Sequence, residues 1–321
     1  MHFGVSLPGR GPLATPEILT KLAEKADALR YTSLFVTDHV VIPTANNSTY
    51  PYSPSGRFAT DWTNGYLEPI AMMGVLVGLT SRIKLGTSVL VVPYRNPVVT
   101  AKMLATLDVM SGGRLILGVG VGWMREEFEA VQAAPFEQRG QVTDEYLRLM
   151  RVMWTKEPAE FAGKYYRLPS VSALPKPRQA GGIPIWVGGH TDAALRRTGE
   201  FADAWHPIGM RPPAMLHPPE YAQKVQAIHG FARKAGRDPK DITLSLRVPL
   251  ELAPRRGPWT GGDQPGFRGT PAQVIQHIKA YQALGVSHFV FDLAAPDLRG
   301  QLSLMERFVE EVRPKVLRAP R

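Results

Sequence analysis

Short apolar runs alternate with amphipathic stretches along the whole chain. Eight of the runs, at residues 2–7, 33–37, 83–91, 114–118, 183–187, 202–206, 242–252 and 286–293, are rich in Val, Ile, Leu and Phe. That is the composition of strands buried on both faces. Between them, apolar residues recur at helical spacing, as in Ile18, Leu19, Leu22, Ala26 and Leu29, or Val274, Ile278, Tyr281 and Leu284. Helix starts are marked by Thr15-Pro16, by Asn96-Pro97 and by a capping box at Thr270 to Gln273. Gly285 is placed to close the last of these helices in a left-handed cap. Eightfold strand–helix alternation around one core predicts an α/β fold, a (β/α)8 TIM barrel in a single domain spanning residues 1–321.

The connections are unequal. Helix-to-strand links are tight, at Tyr31-Thr32, Ser81-Arg82, Gly112-Gly113 and Gly285. Several strand-to-helix links are long, at 41–65, 207–219 and 253–269. These insertions belong at the C-terminal mouth of a barrel, where its active sites lie. The exception is 155–182, which precedes a strand and reads as a small hairpin around Gly163.

Composition narrows the function. With 44% hydrophobic residues in 321, one large core is favoured over two small ones. No apolar run reaches the roughly 18–20 residues that span a bilayer, and the N-terminus opens on a strand without a leader pattern. A cytoplasmic location, with no membrane partner, is the expectation. The absence of cysteine excludes disulfides, thiol nucleophiles and thiolate metal sites. The net charge of +10 has two readings, a lineage habit or an anionic ligand such as a phosphorylated or polycarboxylated cofactor. Basic residues are scattered, with short clusters at Arg196-Arg197, Arg255-Arg256 and 313–318, and no nucleic-acid module is present.

Four motifs carry possible chemistry. Asp38-His39 follows the second run, so the imidazole faces the mouth, where it can move a proton near neutral pH. Gly188-Gly189-His190-Thr191 joins the fifth run to a helix. Its glycines let a phosphate approach bare backbone, and Thr191 caps a turn whose amides point at the anion. The bland reading is a tight turn. Gly118, Gly120 and Gly122, followed by Trp123, suggest a dinucleotide loop, but Trp123 occupies the third glycine position. They read instead as room for a flat ligand, with Trp123, Arg125, Glu126 and Glu127 projecting beyond. Gly86-Thr87-Ser88-Val89, taken alone, is a core strand. HExxH and H-x-H spacings, a nucleophile elbow and a P-loop are all missing, so no metal is expected.

Together, these motifs resemble the bacterial luciferase-like superfamily, and within it the deazaflavin-dependent oxidoreductases that use coenzyme F-420. The match also takes in Phe136 to Gly140, Pro175-Lys176-Pro177, Trp186 to Gly189 and Gly269 to Val274. The resemblance implies a luciferase-like barrel with a tricyclic ring across its mouth. It implies a non-proline cis peptide at Ser88-Val89 behind that ring, and a cofactor phosphate at Gly188, Gly189, His190 and Thr191. It places Asp38 against the ring or its ribityl chain, and His39 near the hydride-bearing carbon as the catalytic group. Hydride transfer to or from a small organic substrate follows, since a deazaflavin carries carbon where flavin carries N5. An FMN-dependent monooxygenase on the same barrel and a non-catalytic flavin-binding relative are the alternatives.

Two departures bear on substrate and assembly. Where sugar-phosphate dehydrogenases of that family carry Asn and Glu, this chain has Trp123 to Glu126, which argues against a sugar phosphate. The 41–65 insert carries Tyr50, Tyr52, Arg57 and Trp62, which suit a larger or aromatic substrate, or else a packed surface. The 66–80 stretch is apolar around more than one face, and family members pair through this region, so a homodimer is expected.

Overall fold

The computed structural model describes residues 1–58, 65–254 and 265–317; Trp62, Arg255, Arg256 and Arg318 lie outside the described residues. The strands in chain order are β1 (His2–Ser6), β2 (Ser33–Val36), β3 (Lys84–Thr87), β4 (Leu90–Val91), β5 (Leu115–Gly120), β6 (Ala159–Ala162), β7 (Arg167–Val171), β8 (Ile185–Val187), β9 (Ala204–Trp205), β10 (Thr243–Leu252), β11 (Phe267–Gly269) and β12 (Val286–Leu293). Among the described residues, eight parallel strands close a barrel in the order β1-β2-β3-β5-β8-β9-β10-β12 and back to β1. Around it run α1 (Pro16–Ala28), α2 (Pro69–Leu79), α3 (Pro97–Ser111), α4 (Arg125–Ala130), α5 (Arg139–Thr155), α6 (Asp192–Phe201), α7 (Pro218–Lys234), α8 (Pro271–Gln282), α9 (Leu298–Arg307) and α10 (Arg313–Leu317).

Local signals act where the sequence places them. Asn96 Oδ1 accepts from the amides of Val98 and Val99 at 3.0 and 3.2 Å. The capping box forms, with Thr270 N donating to Gln273 Oε1 at 2.8 Å. Gly285 has φ of 92° and ends the turn after α8. The expected hairpin is β6–β7, closed by Gly163 N donating to Tyr166 O at 2.9 Å. A carboxylate from α5 fixes it: Glu145 accepts from the amides of Lys164, Tyr165 and Tyr166 at 2.7–2.8 Å.

Most strand ends shift by a residue or two, and three boundaries differ in kind. The 83–91 run is broken, because the Ser88–Val89 peptide is cis and β4 pairs only with β5. The 202–206 run shortens to the two residues of β9. The expected 253–269 loop ends in β11, which pairs with the upper end of the ten-residue β10.

The barrel interior is packed with rings. Phe35 lies 5.0 Å from His206 and 5.7 Å from Trp186, and Trp186 lies 4.9 Å from His288, centroid to centroid. Both imidazoles are sealed from water. Burial pushes His206 down to about 3 and His288 well below its ordinary value, so both are neutral. Each finds hydroxyl partners, His288 Nε2 with Ser33 at 2.8 Å and His206 with Ser88 and Ser245. Below the mouth, therefore, there is a floor rather than a pore.

Candidate active site

His39 stands just beyond β2, at the C-terminal mouth. Its Nδ1 lies 2.7 Å from Glu127 Oε2, and the Glu127 side chain has 0% exposure. The same carboxylate accepts from Tyr94 Oη at 3.0 Å and from the amides of Val40 and Val41 at 2.8 and 3.3 Å. A carboxylate with three other donors favours the tautomer that carries its proton on Nδ1 and its lone pair on Nε2. The ring itself lies against Tyr66, Phe58 and Trp123, with centroids 4.8, 5.0 and 6.1 Å away. The arrangement can accept a proton at Nε2 and return it, with the orientation fixed from behind.

Asp38 turns away from the mouth. Its side chain has 0% exposure, and its two oxygens take both ends of the Arg95 guanidinium at 2.7 Å. Val91 N also donates to it at 2.8 Å, and Arg95 reaches on to Glu68 at 2.8 Å. Burial opposes the Arg95 charge, but Asp38 and Glu68 outweigh it and hold the proton more tightly than usual. The carboxylate that the resemblance assigned to the ring or ribityl chain is thus closed off by Arg95 and Val91. It ties the end of β2 to the segment after β4, which steadies His39.

Ser88 and Val89 form the rim between β3 and β4. Gly118 leaves room for the Thr87 carbonyl that leads into this rim, and Gly120 and Gly188 leave room for the Val89 side chain. A Cβ would lie 1.8 Å from Thr87 O at Gly118, 2.5 Å from Val89 Cγ2 at Gly120 and 2.9 Å from Val89 Cγ1 at Gly188. The space at Gly118 and Gly120, read from sequence as room for a flat ligand, is taken by the Thr87 carbonyl and the Val89 side chain. Ser88 Oγ lies 2.8 Å from His206 Nε2, and Arg247 Nη1 donates to Ser88 O and Oγ at 2.6 and 3.0 Å. Arg247 also binds Asp292 Oδ1 through Nε and Nη2 at 2.9 and 2.7 Å. Arg211 donates to Asp292 Oδ2 at 2.7 Å. Burial alone would raise Asp292, but the two guanidiniums hold it below the usual carboxylate range.

The Gly188–Thr191 turn opens on the same rim. Gly189 has φ of 98°, Thr191 accepts from Ala194 N at 3.3 Å, and Thr191, Asp192 and Ala193 are exposed at the start of α6. Lys224 reaches His190 O at 3.1 Å. Nε2 of His190 is buried without a partner among the described residues. Bare amides at a ten-residue helix start, a nearby ammonium and an orphaned ring nitrogen fit an anionic group. Asp192 opposes it with like charge at the exposed edge.

The insert joins these groups. Tyr50 lies 5.0 Å from Trp123 and 4.9 Å from Phe58, and Tyr52 lies 6.1 Å from His190. Glu126 holds the insert down, accepting from Asn47 N at 2.7 Å and Ser48 Oγ at 2.6 Å. His39 and His190 are therefore connected through a continuous aromatic lining over one mouth. Arg95 and Arg211 were not singled out from sequence as site groups, and Glu127 was named only as projecting beyond the Gly118–Gly122 glycines. Arg247 and Asp292 carried a signal, since each is a charge inside an otherwise apolar strand. Glu127 carried only its place after the glycines, and nothing local told it apart from Glu126 or paired it with His39.

Comparison with known proteins gives a consistent picture. The family model described as luciferase-like monooxygenase matches residues 1–257. An uncharacterised protein of Mycobacterium tuberculosis (strain H37Rv) is 31% identical over 256 residues, covering 74% of this chain and 88% of its own. A phthiodiolone/phenolphthiodiolone dimycocerosates ketoreductase of Mycobacterium bovis (strain BCG) is 33% identical over 245 residues, covering 74% of this chain and 59% of its own. Among solved structures, an F-420-dependent secondary alcohol dehydrogenase in complex with an F-420–acetone adduct superposes with a TM-score of 0.78 at 18% identity, covering 98% of both chains. At that identity the likeness is one of fold.

Proposed function

This chain belongs to the luciferase-like monooxygenase family, and from that premise we propose that it is an oxidoreductase moving a hydride between coenzyme F-420 and a small organic substrate. The observation that carries the reading is the 2.7 Å contact of His39 Nδ1 with the sealed Glu127 carboxylate. It favours a proton acceptor at Nε2 beside a mouth lined with rings. When bound, the deazaflavin supplies a carbon centre that accepts or gives a hydride. His39 takes the proton from a substrate alcohol, or gives it to a carbonyl oxygen, as that hydride moves. Amides from Gly189 to Thr191, with Lys224, would hold the phosphate, and the aromatic lining would keep water from the reacting atoms. The family also contains monooxygenases, so FMN is the competing tricycle.

Titration with F-420 and with FMN, followed by a substrate screen with whichever binds, tests the proposal. Tight binding of F-420, with turnover lost in His39→Ala and affinity retained, supports it. Oxygen consumption with reduced FMN rejects it in favour of the monooxygenase. Turnover unchanged in His39→Ala removes His39 from the chemistry. Gly189→Asp is expected to abolish tight binding of either cofactor, because it sets a side chain at φ of 98° and a negative charge beside the phosphate.

We further propose that two copies pair through α2 and α3, in the cytoplasm. Val75, Val99 and Met110 on these helices are 63%, 54% and 70% exposed, an apolar outer face that a monomer leaves wet. Sedimentation velocity is expected to give a dimer, and Met110→Glu to shift it toward monomer.

A further inference from the structure

We propose that Arg211 is the anchor for a carboxylate on the substrate, and that the preferred substrates are flat, conjugated or aromatic carbonyl compounds carrying that acid. The inference deepens the oxidoreductase reading and rests on the mouth being the reaction site.

The argument begins with charge. Arg211 and Arg247 share one carboxylate, Asp292, so this wall of the mouth holds one more cation than anion. Arg247 already satisfies Asp292 Oδ1 with two of its nitrogens and gives a third to Ser88. Arg211 adds one bond to Oδ2, and its Nε is buried with no partner among the described residues. A second guanidinium with an unsatisfied buried N–H costs stability unless something else uses it. The opposite wall differs. There Asp38 and Glu68 hold Arg95 and Glu127 holds His39, while Arg10 sits over Phe58 and Tyr66. An acidic group is therefore drawn to the Arg211 side and away from the Glu127 side.

Placement is deliberate. The loop after β9 carries Arg211 between Met210 and Leu216, non-glycine residues with φ of 54° and 53°. Such backbone persists where surrounding contacts impose it. Here Gly209 N donates to Arg247 O at 2.8 Å, Met210 N to Met215 O at 2.8 Å, and Tyr281 Oη to Leu216 O at 2.8 Å. The body of the ligand follows from the rings. Tyr52 lies within electrostatic reach of Arg211 and Arg247, and its phenol is pushed up to about 12 by burial and by Tyr50, against those two cations. With Tyr50, Phe58 and Trp123 it gives flat aromatic surface that runs to His39. A guanidinium fork suits a carboxylate in two-point contact better than it suits a neutral amide.

The probes are 2-naphthoate and 2-naphthamide, equal in shape and unequal in charge. Binding is measured by quenching of tryptophan fluorescence, on the full chain with and without its cofactor. Naphthoate is expected to bind about tenfold more tightly than naphthamide, the difference one charge-assisted bond supplies. Arg211→Gln is expected to remove that preference by weakening naphthoate alone, and Arg211→Lys to keep part of it. Equal binding of the two probes to the parent protein overturns the proposal. So does a preference that survives in Arg211→Gln, or a loss of cofactor affinity in that variant with naphthoate binding intact. If neither F-420 nor FMN binds, yet an Arg211-dependent preference persists, the anchor stands and the oxidoreductase reading falls.

Discussion

Replacing Glu127 by Gln tests the centre of the site without a known substrate. The two side chains have the same shape, so the response is decided by hydrogen bonds. Oε1 accepts from Val40 N and Val41 N, and Oε2 from His39 Nδ1 and Tyr94 Oη. If the new amide nitrogen took the Oε1 position, it would face two backbone N–H groups, at about 1–3 kcal/mol for each unpaired buried donor. In the Oε2 position it faces Tyr94, whose hydroxyl can turn to accept, and Nδ1, which can accept if the ring changes tautomer. The second orientation wins by several kcal/mol on about that scale. His39 is then locked with its proton on Nε2 and loses the free lone pair it would offer a substrate proton. The assay is long-range proton–nitrogen correlation of the imidazole rings, with His39→Gln identifying the signal. The parent is expected to show the proton on Nδ1, and the Glu127→Gln variant on Nε2. With a substrate in hand, single-turnover hydride transfer should fall about a hundredfold or more, the usual worth of a general base. A parent ring protonated on Nε2, or a tautomer unmoved by the substitution, would refute the reasoning.

Two further predictions concern stability. Gly118→Ala places a Cβ 1.8 Å from Thr87 O, a backbone atom that cannot yield, and is expected to cost about 3 kcal/mol or more in denaturant unfolding. Gly230→Ala, inside α7 with nothing within 4 Å, is expected to gain about 0.5–1 kcal/mol, so equal signs would contradict the packing. His206 is neutral in the folded state, with a value of about 3 against 6.5 when unfolded. The unfolded chain therefore binds the extra proton below pH 6.5, and stability falls as pH drops. Between pH 7 and pH 5 only the unfolded-state titration enters, and it removes about 2 kcal/mol. His206→Gln should flatten that slope; an unchanged slope would show that His206 does not titrate on unfolding.

How much could be read in advance depended on distance along the chain. Strand–helix alternation, caps at Thr15, Asn96 and Thr270, and the hairpin at Gly163 are local, so the residues within a few positions decide them. His39 and the Gly188–Thr191 turn were legible because strand ends of a parallel barrel face one mouth, and a position relative to a strand is enough to place them. The pairing of His39 with Glu127, 88 residues apart, was not. Nor was the turning of Asp38 into Arg95, or the sharing of Asp292 by two arginines. These depend on which side chains the closed cylinder presses together and which it seals from water. Sequence alone determined the architecture and the rim on which chemistry can occur. Tertiary structure decided which partner each buried carboxylate takes, because in a low-dielectric interior a charge is placed by its nearest partner and not by its neighbour in the chain.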